Sequence, residues 1–317
     1  MVDTLTLFFY ILLFGALAVP GYILGRQGNL QSHSVKDISV ILTNIAMPFL
    51  VFAKLLECDI KTFLPAELIC CLFFPALLAF ILSFVSRQLF KKQETKKRVA
   101  SIFCATFPNC GFLGIPLSAA MFPDDPKVTS LVALYNVTNT FVLLTLGEYI
   151  YTEDIKRVKP MKILCKPITT AFVLGVICSY FNIGAQIPAL GLYSGILAAL
   201  TTPLSMLVLG AELFRIKIKV LFSAPSMYAS AAIRLLLAPL SACAILCTLK
   251  FLFTVPISQE LATALMIATG VSTAATATAI AQRFQADSTH AAILVLGSTV
   301  LSAITLPCVS LVYNLLF

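Results

Sequence analysis

The chain of 317 residues is 59% hydrophobic and 11% charged, with a mean hydropathy of +0.97, which excludes a soluble enzyme or soluble binding module and points to an integral membrane protein. A net charge of +8 raises the question of a nucleic-acid partner. The basic residues alternate loop by loop instead of gathering on one soluble face, so no nucleic-acid partner is expected.

Apolar runs of membrane-crossing length predict ten helices, at about 4–26, 36–57, 64–90, 98–122, 127–151, 165–182, 190–214, 220–253, 258–283 and 288–316. The first has no basic flank or small-residue cleavage site and is read as a retained span. The longest polar stretch is the connection after the fifth span, which divides the chain into 1–151, a cytoplasmic connection at 152–166, and 167–317. If the first residue lies outside, the inner loops carry Arg26 and Lys36, then Arg87, Lys91, Lys92, Lys96, Lys97 and Arg98, then Lys156, Arg157, Lys159, Lys162 and Lys166, then Arg215, Lys217 and Lys219, and Arg283. The outer side carries Lys54, Lys61, Lys127 and Lys250. Seventeen against four predicts a multi-pass protein of the plasma (inner) membrane with both termini outside.

The fourth span contains TFPNCGFLGIPL at 106–117. Pro108, Asn109, Gly111, Gly114 and Pro116 interrupt a run that hydrocarbon would otherwise keep helical, because proline lacks an N–H and clashes with the preceding turn. Backbone groups freed at mid-membrane need a protein-lined cavity, the kind of place where a transporter holds cargo. The ninth span, IATGVSTAATATAIAQRF, has no proline but sets Gly270 ahead of Ser272, Thr273, Thr276 and Thr278. Glycine and hydroxyls permit unwinding without enforcing it, so a shallower break is expected there.

An internal repeat links the two spans. A shift of 158 aligns Thr43 with Thr201, Ala53 with Ala211, Leu55 with Leu213 and Lys61 with Lys219, and sets Glu57 and Asp59 opposite Arg215 and Lys217. A shift of 162 sets the break at Pro108 against Gly270. Five helices per half is an odd number, so the halves must be inverted across the membrane, and reversed charge at matched positions follows. The fold class expected is all-α, ten transmembrane helices as two inverted five-helix repeats, with the fourth and ninth crossing at their breaks.

Few ionisable groups fall inside spans, so each is a candidate for function. Glu67 opens the third span and is a candidate for proton coupling or, alternatively, an interfacial residue. Arg234 lies deep in the eighth, ahead of Pro239, and is expected to pair with backbone carbonyls or with an acid such as Glu148 or Glu212, in a structural or gating role. The ten cysteines form no Cys-x-x-Cys pair and the only histidines are His33 and His290, so the cysteines are read as small buried hydrophobes, with no metal site and no cofactor. No constellation of nucleophile, base or metal ligand points to an enzyme.

NIAMPF at 44–49, FPNCGFLGIPL at 107–117 and TPLSMLVLGAEL at 202–213 together resemble the auxin efflux carrier family, in its short bacterial members. The resemblance implies a fold like that of bile acid sodium symporters, elevator-type alternating access, and small organic carboxylates such as malate or malonate, or auxin-like acids, as cargo. It also implies Asn109 as the first cargo contact, with Pro108, Gly111, Asn44, Asn136, Ser272 and Thr273 around it. Family members usually carry a proline at the ninth-span crossing, where this chain has Gly270, Val271, Ser272 and Thr273. Half-helix N-termini and an amide donor suit an anion without any cationic side chain. A proton or a sodium ion is the candidate coupling ion, and a homodimer the candidate assembly. The alternative function is a non-transporting membrane sensor or receptor on the same scaffold.

Overall fold

The computed structural model describes residues 4–154, 166–214 and 224–317. Lys156, Arg157, Lys159, Lys162, Cys165, Arg215, Lys217 and Lys219, with the charge reversal they carried, lie outside the described residues. Among the described residues there is no strand, and the long elements are helices. In chain order they are α1 (Thr4–Arg26), α2 (His33–Glu57), α3 (Pro65–Leu89), α4 (Thr95–Thr106), α5 (Cys110–Met121), α6 (Pro126–Thr152), α7 (Pro167–Tyr180), α8 (Pro188–Phe214), α9 (Pro225–Phe251), α10 (Gln259–Gly270), α11 (Ala277–Arg283) and α12 (Ser288–Leu316). Seven of these, α1, α2, α3, α6, α8, α9 and α12, are long and apolar enough to cross a membrane.

Local chemistry sets the boundaries. Five helices, α3, α6, α7, α8 and α9, begin on a proline, whose fixed φ suits the first helical position and whose missing N–H would be unpaired there anyway. Other starts are capped by side chains: Asp287 Oδ1 accepts from His290 N at 2.8 Å, and Ser258 Oγ from Leu261 N at 3.1 Å. Three helices contain a widened π turn, at Leu42–Ala46 in α2, Cys110–Gly114 in α5 and Ile233–Leu237 in α9. Each ends two residues before a proline, Pro48, Pro116 or Pro239. A proline ring collides with the carbonyl four residues earlier, and that carbonyl falls inside each widened turn, so the extra residue relieves the collision.

Packing has two parts. Helix α1 lies along α8, and α2 packs on α7 and α8. The α1–α8 contact is backbone to backbone: a Cβ on Gly210 would strike the Ala18 carbonyl, and one on Gly21 the Leu207 carbonyl. Small residues are what let helices approach this closely in a bilayer. In the second part α3 packs on α6, α10 on α6 and α9, and α12 on α4, α9 and α11. Large apolar side chains such as Phe73, Phe80 and Phe84 on α3 and Leu192, Tyr193 and Ile196 on α8 stay exposed, as expected of surfaces that meet lipid tails.

Candidate functional site: two broken helices and the cavity beside them

Pro108 ends α4 two residues early. The residue before a proline is driven out of helical geometry, and Phe107 is extended at φ −100 and ψ 124. Asn109 (φ −81, ψ 50) then starts α5. On the other side α10 stops at Gly270, Val271 is extended at φ −70 and ψ 161, and α11 begins at Ala277. This second break spans 271–276 against 107–109 for the first, so the ninth-span break is the longer of the two and the expectation of a shallower one is corrected.

The reason lies in the partners. The two breaks run antiparallel, with Pro108 opposite Thr273. Asn109 N donates to Ser272 O at 2.7 Å and Ala274 N to Phe107 O at 2.9 Å. Thr273 Oγ1 donates to Cys104 O at 2.8 Å, while Thr273 N donates to Ser298 Oγ at 3.1 Å. Thr299 Oγ1 reaches Ser272 Oγ at 3.2 Å. Backbone that has left the helix is thus paired from outside, as a membrane interior requires. Once those bonds exist, no proline is needed to hold the second break open.

The C-terminal ends of α4 and α10 meet at Arg234, 1% exposed within the widened turn of α9. Its Nη1 donates to Thr106 O at 2.8 Å and its Nη2 to Thr269 O. Of the partners expected for Arg234, carbonyls are therefore the ones found. Glu148 instead pairs with Arg283 Nη2 at 3.0 Å, and Glu212 stands on the cavity wall.

A cavity of about 500 Å³ opens beside the first break. Its walls come from α2 and α8 on one side (Lys36, Ser205, Met206, Glu212) and from α5, α11 and α12 on the other (Asn109, Phe112, Thr276, Thr278, Gln282, Leu296). Asn109 is only 6% exposed, and its side-chain amide has no hydrogen-bond partner among the described residues. An amide left unpaired at the wall of a cavity is a donor and acceptor held ready for something else.

The other sequence-derived candidates sort by position. Pro108 is buried at the crossing. Gly111 is a close-approach site: a Cβ there would lie 2.9 Å from Met47 Cε and 3.5 Å from Asn136 Oδ1, which brings the buried Asn136 next to α5. Ser272 and Thr273 are fully buried behind the crossing and spend their bonds on protein, so the structure does not bring them to the cavity. Asn44 is exposed on α2 and does not join the wall either. Thr276 and Thr278 from the same hydroxyl cluster take the wall position. Lys36 and Gln282 join the wall without a sequence signal for it: Lys36 reads in sequence only as an inner-side charge, and nothing near Gln282 marks it.

Glu67 lies elsewhere, at the end of the molecule where α3, α6 and α10 begin. It is fully buried. Its Oε1 meets Lys127 Nζ at 2.8 Å and accepts from Ser258 Oγ, while Oε2 accepts from Leu64 N at 2.8 Å. One carboxylate thus caps its own helix and clasps two others. Among the described residues no cluster of three or more His, Cys, Asp or Glu could hold a metal ion.

Long apolar helices, two interrupted ones paired at their breaks, and a cavity against the pair describe a multi-pass membrane protein built for passage of a solute. A family model described as membrane transport protein matches residues 9–157 and 151–310. An uncharacterized transporter of Methanothermobacter thermautotrophicus is 27% identical over 305 residues, covering 93% of this chain and 95% of that one. An uncharacterized transporter of Methanocaldococcus jannaschii is 28% identical over 209 residues, covering 62% and 66% respectively. The chain belongs to the membrane transport protein family, which is the auxin efflux carrier family of the sequence resemblance.

Proposed function

We propose that this transporter carries a small organic carboxylate, such as malate, malonate or an auxin-like acid, by elevator-type alternating access across the plasma membrane. The observation that carries the reading is Asn109, whose unpaired amide stands at the start of α5 on the wall of the cavity. First-turn N–H groups of a helix have no acceptor within it, and the positive end of the helix dipole lies there too. A carboxylate answers both, and the amide adds a donor from the side chain. Lys36 on the facing wall adds positive charge, and Phe112, Met206 and Leu296 add apolar surface for the rest of the acid.

The movement proposed follows from where the cavity lies. Its two walls belong to the two packing groups, α1, α2, α7 and α8 against the rest, so sliding one group past the other would carry Asn109 and its cargo across the bilayer. The ten-span inverted repeat is supported by the succession of elements: three unbroken helices, a broken pair and a long helix in α1–α6, and the same order in α7–α12. A proton, if one drives the movement, would act at Glu67, which joins the starts of three helices in the group that holds Asn109. This is tested by gradient-driven uptake into proteoliposomes, where Glu67→Gln is expected to lose the pH dependence.

The direct test of cargo is a melting screen of purified protein against malate, malonate and indole-3-acetate at two pH values, followed by uptake of any stabilising acid. Stabilisation by at least one acid, lost in Asn109→Ala, is expected. Stabilisation by amines or neutral sugars and by none of the acids would overturn the substrate class.

A further inference from the structure

The last carbonyls of a helix have no partner within it, and aligned peptide dipoles place about half a negative elementary charge at that end. Helices α4 and α10, twelve residues each, bring two such ends together at the crossing. Their combined charge is about −1 by the same principle, in a place closed to water: Thr106 and Thr269 are 1% and 0% exposed. Two converging carbonyl ends with hydroxyls nearby form an oxygen cage of the kind that holds a monovalent cation in a broken-helix transporter. Neither break contains Asp or Glu, so the positive charge has to come from elsewhere.

We propose that Arg234 is that charge: its guanidinium permanently fills the place a sodium ion would take, so the crossing is complete without sodium and cargo binding is independent of it. The fork supplies two donors in a fixed plane, and these reach the two helix ends separately, Nη1 to Thr106 O at 2.8 Å and Nη2 to Thr269 O. A single +1 group against about −1 from two dipoles leaves the junction near neutrality, which explains how a charge can lie 1% exposed with Nη1 and Nη2 bonded to carbonyls, Nε unpartnered and, among the described residues, no carboxylate bonded to it. The widened turn Ile233–Leu237 is the local device that accommodates it, and such turns recur at functional positions. Arg234 is a positioning residue: it holds the two half-helices in register so that Asn109, three residues past Thr106, meets the cavity.

The proposal rests on the crossing geometry and only borrows its importance from the carboxylate reading, so its test uses no acid. Purified protein is melted at constant ionic strength in sodium, potassium and N-methylglucamine chloride, and Arg234→Ala is melted in the same salts and with methylguanidinium chloride added. Wild type is expected to melt at one temperature in all three salts. Arg234→Ala is expected to melt several degrees lower and to be restored toward wild type by methylguanidinium, which leaves wild type unmoved. A sodium-specific rise in the wild-type melting temperature overturns the proposal, whether or not the alanine variant folds, and so does an Arg234→Ala protein that melts like wild type. Arg234→Lys covers the case of an unfolded alanine variant: it keeps the charge without the fork and is expected to melt lower than wild type while staying indifferent to sodium; sodium-specific stabilisation of Arg234→Lys overturns the view that a fixed charge closes the site.

Discussion

The two breaks do one job with different sequences. The first is short, holds Pro108 and sits between helices of matched length; the second is twice as long, has no proline, and leads into the seven-residue α11. What they share is outside partners: each donates one backbone bond to the other, and Arg234 binds the carbonyl end behind each. Proline is therefore one way to interrupt a membrane helix, while cross-bonding is what keeps the interruption stable. The cost of a non-helical segment in lipid is set by unpaired N–H and C=O groups, and the bonds made by Asn109 N, Thr273 N and Ala274 N meet part of that demand here.

Glu67 tests the support of the proline-free side most severely, since its carboxylate clasps Ser258 at the start of α10 and Lys127 on α6. Removing one member of a buried ion pair strands the other, and Lys127 is only 18% exposed. Glu67→Gln is expected to cost about 3 kcal/mol, read as a lower melting temperature; an unchanged melt would mean the clasp contributes nothing. Next in size is Asn109→Ala. It should leave the melt of the cargo-free protein in place and weaken acid binding more than tenfold, about 1.5 to 3 kcal/mol for a hydrogen bond to a charged group. Calorimetry with a stabilising acid reads this, and equal affinity in the two proteins removes Asn109 from the site.

The smaller effects compare the breaks directly. Thr273→Val keeps the shape but takes the donor from Cys104 O, a loss of about 2 kcal/mol for a buried acceptor left open. Pro108→Ala is expected to cost under about 1 kcal/mol, within the range of a substitution that leaves the partners intact. Cross-bonding predicts that order in chemical unfolding. If Pro108→Ala proves the more damaging, the proline enforces the first break and the two sides are not equivalent.

Much of this was legible in the sequence because hydrocarbon tolerates so few solutions. Apolar runs marked the seven long membrane-crossing helices, and Pro108 with Asn109 marked the first break, although Gly111 and Gly114, expected to interrupt the span, lie in the widened turn that opens α5. The length of the second break was not legible: it depends on Ser298, Thr299 and Cys104, which lie 25 residues or more from Thr273 along the chain. The same is true of Arg234, where sequence left carbonyl and acid partners open and only the convergence of Thr106 and Thr269 decides between them. Asn44 falls in a widened turn, whose extra residue shifts the helical register, and no periodicity argument anticipates that. The bonds of Ser272 and Thr273 were not legible either, since polar side chains beside a break can serve the backbone as readily as a cavity.

The central claim is that the fourth and ninth spans meet at their breaks, and a disulfide reads it most directly. Pro108 and Thr273 face each other as a pair not bonded to one another, since the flanking residues make the hydrogen bonds. Such pairs have Cα atoms about 4.5 Å apart, inside the range a disulfide spans. In a Pro108→Cys, Thr273→Cys double variant, oxidised in membranes and digested, mass spectrometry is expected to find the peptides carrying positions 108 and 273 joined and separable by reductant. Full oxidation with those two peptides never joined would contradict the crossing and the binding site built on it.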